Sequence, residues 1–178
     1  AKAMLVSSVV PFMLKTQDNP HGTEQAVFDK MAQGMKEDRA HFFAGFFDDF
    51  YGAGMMSSPV SDEVIEWSRS LAMQASLKAT LACAAAFATT DFRPDLTSFK
   101  VPTLIIHGTA DKTVPIITTG EVAAKRIPGA QFITYDGSAH GLFATDKERL
   151  IGDVREFLIA DDRGTVRDTS ASAIPLSN

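Results

Sequence analysis

Two short apolar runs, each closed by a glycine-marked polar loop, constrain this chain more than any other feature. Val101 to Ile106 leads into His107-Gly-Thr-Ala-Asp111, and Gln131 to Tyr135 leads into Asp136-Gly-Ser-Ala-His140. Apolar runs this short, bounded by Gly and Pro, read as buried strands rather than helices. Pro102 fits only at the start of its strand, because it has no N–H to give to a ladder. Between the runs, Thr118 to Arg126 reads as a helix stopped by Pro128 and Gly129, with Thr118 and Glu121 spaced as a capping box. After the second run, Thr145 and Glu148 form another such pair. They open a helix to about Ile159, whose apolar face is Leu150, Val154, Phe157 and Leu158. Strand, helix, strand, helix predicts an α/β fold with a parallel sheet. Such sheets gather their chemistry in the loops leaving the carboxyl ends of the strands. Asp111 and His140 both sit in such loops, 29 residues apart.

Upstream, Lys2 to Val9 reads as a further buried strand ended by Pro11. Residues 15–23, with Asp18, Asn19, Pro20 and Gly22, have loop chemistry. Glu24 to Tyr51 has helical spacing: Phe42, Phe46 and Phe50 recur at every fourth position, Phe43 and Phe47 lie beside them, and Gly52 and Gly54 end the pattern. Ser61 is the expected N-cap of a second helix, with Asp62 and Glu63 in its first turn, running to about Ala88 with room for a break. Helices in succession without an intervening strand predict a cap over the sheet at about 20–90. Residues 1–160 are then one domain. Asp161 to Asn178 is polar and aperiodic and reads as a flexible tail. The opening Ala1-Lys-Ala-Met-Leu reads as a strand already in progress, so the chain is expected to start inside a larger fold, with an unpaired edge on its first strand.

Composition narrows the function. The 178 residues are 45% hydrophobic with 13 Phe, and the net charge is -5 with both signs mixed. No basic patch exists to neutralise phosphates, so nucleic acid is not expected as a partner. No apolar run approaches the roughly 20 residues that cross a bilayer, so neither a membrane partner nor a membrane location is expected, and a cytoplasmic setting is. Cys83 is the only cysteine. It excludes an internal disulfide and a Cys-rich metal site, and reads as small buried filler. Nothing groups His and carboxylates as a metal site would require, and no cofactor is expected.

The run Val101-Pro-Thr-Leu-Ile-Ile-His-Gly-Thr-Ala-Asp-Lys-Thr-Val-Pro115 resembles the acid-bearing segment of α/β-hydrolases, and the cofactor-free haloperoxidase and aryl esterase branch most of all. Lys2 to Pro11, Thr90-Asp-Phe-Arg93 and Ala139-His-Gly-Leu-Phe143 are similar to the same branch. The resemblance covers Lys2 to Ile159 and implies the C-terminal part of an α/β-hydrolase fold. It implies that Asp111 is the acid of a catalytic triad and His140 its general base. The family hydrolyses esters of short acyl chains and aryl alcohols. Many members also form peracids from carboxylic acids and hydrogen peroxide. The family's nucleophile sits in a Gly-x-Ser-x-Gly elbow. No serine of this chain has a glycine two residues before or after it. The implied partners are therefore a small-molecule ester and a companion N-terminal half carrying the serine, and the chain alone is expected to be inactive.

The remaining candidates read as structural. His107 is expected to be buried and hydrogen-bonded, and His21 and His41 solvent-facing. Most of the Phe42–Phe50 cluster is expected to pack helix against sheet, with one or two rings facing a pocket, and Met55, Met56 and Trp67 are read the same way. Ser138, two residues before His140, has no elbow and is not a nucleophile. Two alternatives stay open. One is a dehalogenase, C–C hydrolase or epoxide hydrolase on the same half-fold. The other is a non-catalytic fragment assembling, as a homo-oligomer, through its open sheet edge.

Overall fold

The computed structural model describes residues 1–54 and 58–160. The expected tail from Asp161, together with Met55 and Met56, lies outside the described residues. Three strands, β1 (Ala3–Val6), β2 (Thr103–Gly108) and β3 (Gln131–Tyr135), form one sheet in the order β1-β2-β3. Both pairings are parallel. Ala3 to Val6 run beside Thr103 to Ile106, and Leu104 to Gly108 run beside Gln131 to Tyr135. The expected α/β architecture is therefore present. β2 is buried along its whole length, which is why its sequence is a continuous apolar run rather than an alternating one. Alternation still sorts its side chains between the two faces. Leu104 and Ile106 pack with Tyr135, Leu142 and Phe157, while Ile105 packs with Leu96, Ala123 and Ile127.

The helices are α1 (Gln25–Glu37), α2 (Arg39–Tyr51), α3 (Asp62–Gln74), α4 (Leu77–Thr89), α5 (Gly120–Arg126), α6 (Leu142–Thr145) and α7 (Lys147–Ile159). The helical cap therefore holds four helices where two long ones were expected. The apolar spacing continues through Asp38, but that residue leaves helical geometry at φ -148° and its carboxylate accepts the His41 N–H, ending α1 and capping α2. The second expected helix, for which a break was allowed, does break, at Ala75 and Ser76, and α3 and α4 meet at 103°. Gly52 stops α2 as expected, in the left-handed conformation at φ 70°.

Neither expected capping box forms. The hydroxyls of Thr118 and Thr119 both turn back to the Pro115 carbonyl, closing a 3-10 turn over Ile116–Thr118 ahead of α5. Thr145 ends the short α6 and bonds to Gly141 and Asp146, so α7 starts at Lys147 without a side-chain cap. On α7, Leu150, Val154 and Phe157 face the core, but Leu158 is exposed. Two more side chains lie outside where they were expected inside. Cys83 and Trp67 are exposed, on α4, which packs on α1, and on α3, which packs on α2. Among the described residues, no single helix is long and apolar enough to cross a membrane.

β1 pairs with β2 alone among the described strands, so its far edge is open. The N–H groups of Ala3 and Ser7 bond toward β2, and by strand alternation Met4 and Val6 turn theirs toward the open edge.

Candidate active site

The sheet ends β2 and β3 side by side, and two loops leave them in contact. Gly108 closes β2 where a side chain would not fit: a Cβ there would lie 2.2 Å from the Ser138 carbonyl oxygen. The loops are stitched by main-chain bonds from Thr109 N–H to Tyr135 and from Ala110 N–H to Ser138. The Thr109 hydroxyl adds to this by accepting the Gly137 N–H and donating to Asp136. Gly137 turns the β3 loop at φ 73°. This bracing brings the two expected site residues together. His140 Nδ1 lies 2.8 Å from Asp111 Oδ2.

Asp111 is buried and its other oxygen is also held. Oδ1 accepts the N–H groups of Thr113 and Val114 at 2.9 and 2.7 Å. Burial pushes its carboxyl upward, but the N–H groups of His107 and His140 and the backbone N–H of Val114 outweigh it, leaving Asp111 below the ordinary aspartate range. Asp111 is therefore an anion at neutral pH, and an anion can only accept. The His140 Nδ1 carries the proton, and the basic lone pair of that ring is on Nε2.

His140 is held from three sides. The Ser7 hydroxyl at the end of β1 donates to the His140 carbonyl at 3.1 Å, and Leu142 N–H donates to the same oxygen. Gly141 N–H donates to the Phe50 carbonyl at the end of α2. The Phe50 ring lies 4.7 Å from the imidazole, edge to face. Ser7 has φ 45°, a left-handed conformation that a non-glycine residue keeps only when its surroundings hold it there. Sequence reasoning missed Ser7 as a site residue, since serines were weighed there only as nucleophiles. Its place at a strand end, next to the other two strand ends, was the available signal.

The remaining candidates separate cleanly. His107 is buried, as expected, and its Nε2 lies 2.8 Å from the Val114 carbonyl, but it also lies 3.2 Å from Asp111 Oδ2. His21 and His41 are exposed. The Ser138 hydroxyl donates to Asp146. The Phe rings form a stacked ladder along α2 from Phe42 to Tyr51. Phe43 is buried, and Phe42 and Phe46 line a cleft of about 520 Å³ between α1, α2 and the acid loop, with Lys112 and Thr113 on its far wall. That volume suits a small organic molecule. Asp111 and His140 are not among its lining residues; the cleft lies beside them. No group of three His, Cys, Asp or Glu converges as a metal site among the described residues.

A parallel sheet carrying a buried carboxylate after one strand and a bonded histidine after the next has the layout of an α/β-hydrolase. Sequence comparison agrees: a family model described as alpha/beta hydrolase fold matches residues 67–147. The chain is 38% identical over 162 residues to a non-heme chloroperoxidase of Burkholderia pyrrocinia, covering 90% of this chain and 58% of that one. It is 35% identical over 163 residues to a bifunctional esterase/perhydrolase of Acinetobacter calcoaceticus, covering 89% and 58%. The crystal structure of a bromoperoxidase from Bacillus anthracis superposes with a TM-score of 0.84 at 35% identity, covering 88% of this chain and 57% of that one. The chain has the α/β-hydrolase fold, and the relatives it resembles include haloperoxidases and esterases. It spans a little over half the length of the curated relatives it matches.

Proposed function

We propose that this chain supplies the acid and the base of a serine hydrolase acting on small carboxylic esters, with Asp111 and His140 in those roles. The observation that carries the reading is the 2.8 Å bond from His140 Nδ1 to a buried carboxylate with all its other contacts made. A serine on a companion N-terminal part, pairing at the open β1 edge, attacks the ester carbonyl. His140 Nε2 takes the hydroxyl proton, and the Asp111 charge stabilises the imidazolium. Backbone amides of the companion part hold the tetrahedral oxyanion. As the intermediate collapses, His140 returns the proton to the departing alcohol, and water then releases the acid by the same steps in reverse order. Where hydrogen peroxide replaces water as the acceptor, the product is a peracid. The cleft beside the acid loop, with Phe42 and Phe46 on its wall, offers an apolar seat for the acyl or aryl group.

The test is hydrolysis of 4-nitrophenyl acetate by the chain alone and by the chain joined to an N-terminal α/β-hydrolase part bearing a Gly-x-Ser-x-Gly elbow. The expected result is no saturable turnover alone, and turnover on assembly that His140→Ala abolishes. Saturable turnover by the isolated chain that depends on His140 would contradict the assignment of the nucleophile to a companion part. Turnover on assembly that survives His140→Ala would contradict the assignment of the base.

A further inference from the structure

We infer that His107 is a positioning residue for the Asp111 carboxylate. This rests on the acid–base reading above and is carried by a contact that reading does not use. The His107 side chain has no exposed surface. Its Nε2 faces two oxygens at once, the Val114 carbonyl at 2.8 Å and Asp111 Oδ2 at 3.2 Å. Both oxygens are acceptors, so the ring proton is on Nε2 and lies between them. Nδ1 then carries a lone pair, and this buried atom has no hydrogen-bond partner among the described residues. Gly120, the first residue of α5, covers it so closely that a Cβ there would fall 2.7 Å from Nδ1.

A buried nitrogen left without a partner is costly, and its presence here needs a reason. The ring is clamped between the Val114 carbonyl and the Gly120 backbone, and in that pose Nε2–H meets the carboxylate. Val114 N–H already holds Asp111 Oδ1. Through His107 the same residue's carbonyl also anchors the donor beside Oδ2. The carboxylate is thereby fixed in the plane that presents Oδ2 to His140 Nδ1, and it stays fixed whichever protonation state His140 passes through. Burial pushes the Asp111 carboxyl up, and the His107 N–H is foremost among the influences that hold it down.

Four carboxylates on the surrounding elements are engaged elsewhere. Asp49 of α2 pairs with Lys112, Asp136 accepts from Thr109, Asp146 accepts from Ser138 and Thr145, and Glu121 of α5 faces Lys125.

The experiment follows the Asp111 carboxyl carbon by NMR through an acid titration of the 178-residue chain, in wild type, His107→Leu and His107→Gln. Leucine keeps most of the bulk and removes the donor, whereas glutamine keeps an N–H. The midpoint is expected to rise by about one pH unit or more in H107L and to stay near wild type in H107Q. An unmoved midpoint in folded H107L, or equal shifts in both variants, would overturn the inference. A second measurement does not depend on the variants folding: the ring nitrogen shifts of wild-type His107 should place its proton on Nε2, and a proton on Nδ1 overturns the inference by itself. In the assembled enzyme, H107L should lower kcat with KM little changed, and H107Q should recover it. Failure of the titration with hydrolysis intact removes only this inference. Absence of hydrolysis with the expected titration removes the proposed activity and leaves the role of His107 toward Asp111 standing.

Discussion

Asp111 and His140 are each held by more contacts than their mutual bond requires. The folded Asp111 carboxyl is depressed below the ordinary value of 3.8. A depressed carboxyl adds stability that is present above the unfolded value and is lost as pH falls through the folded one. Urea denaturation from pH 7 to pH 3 should therefore show stability falling below about pH 4 in the wild type, and less steeply in Asp111→Asn. Equal slopes would contradict the depression. Gly108→Ala should cost about 1–3 kcal/mol, because its Cβ has no room against the Ser138 carbonyl. Gly45→Ala, with open space around it in the middle of α2, should raise stability by about 0.5–1 kcal/mol. The pairing of Asp111 with His140 was legible from two strand–loop patterns and their spacing. The contact from His107 was not, because it depends on the acid loop folding back so that Val114 and Asp111 face the same imidazole. No local spacing signals that return.

At the scale of elements, the strands were legible and the helix boundaries were not. β2 and β3 follow from short apolar runs whose ends are fixed by Pro and Gly. Across Asp38 the apolar spacing continues unbroken, and only the backbone reveals that the carboxylate prefers to cap His41. Asp38→Ala should lower the thermal stability by the equivalent of about 1 kcal/mol, and thermal unfolding by circular dichroism checks it. The sidedness of α4 escaped the sequence for a different reason. It is Ala-rich with one charged residue, so no apolar stripe marks which face is buried, and Cys83 is exposed. A non-local contact closes α7. The Lys2 ammonium donates to the carbonyls of Phe157 and Ala160, at the end of a helix more than 150 residues away in sequence. Lys2→Met should destabilise by about 1–2 kcal/mol, seen as a lower urea midpoint at unchanged slope. An unchanged midpoint would mean that the helix end is satisfied without it.

For the molecule as a whole, the parallel sheet, the helical cap and the open β1 edge were all expected from the order of elements, and each is present in the described residues. The break at Asp38 was not, since it interrupts no pattern of apolar residues, whereas a break in the second cap helix was allowed for and falls at Ala75 and Ser76. On the proposed function, a companion part carrying the serine elbow pairs its strand at the open β1 edge. Met4→Pro removes an N–H that faces the open edge rather than β2, so it should leave the chain folded while cutting the recovery of hydrolysis on assembly. Full recovery would place the companion strand elsewhere. The most direct test of the whole account is the proton NMR spectrum of the 178-residue chain at low temperature. The His140 Nδ1 proton should resonate far downfield of the backbone amides, and that signal should vanish in Asp111→Asn while the fold persists. A folded chain with no such resonance, or one that Asp111→Asn leaves in place, would contradict the account.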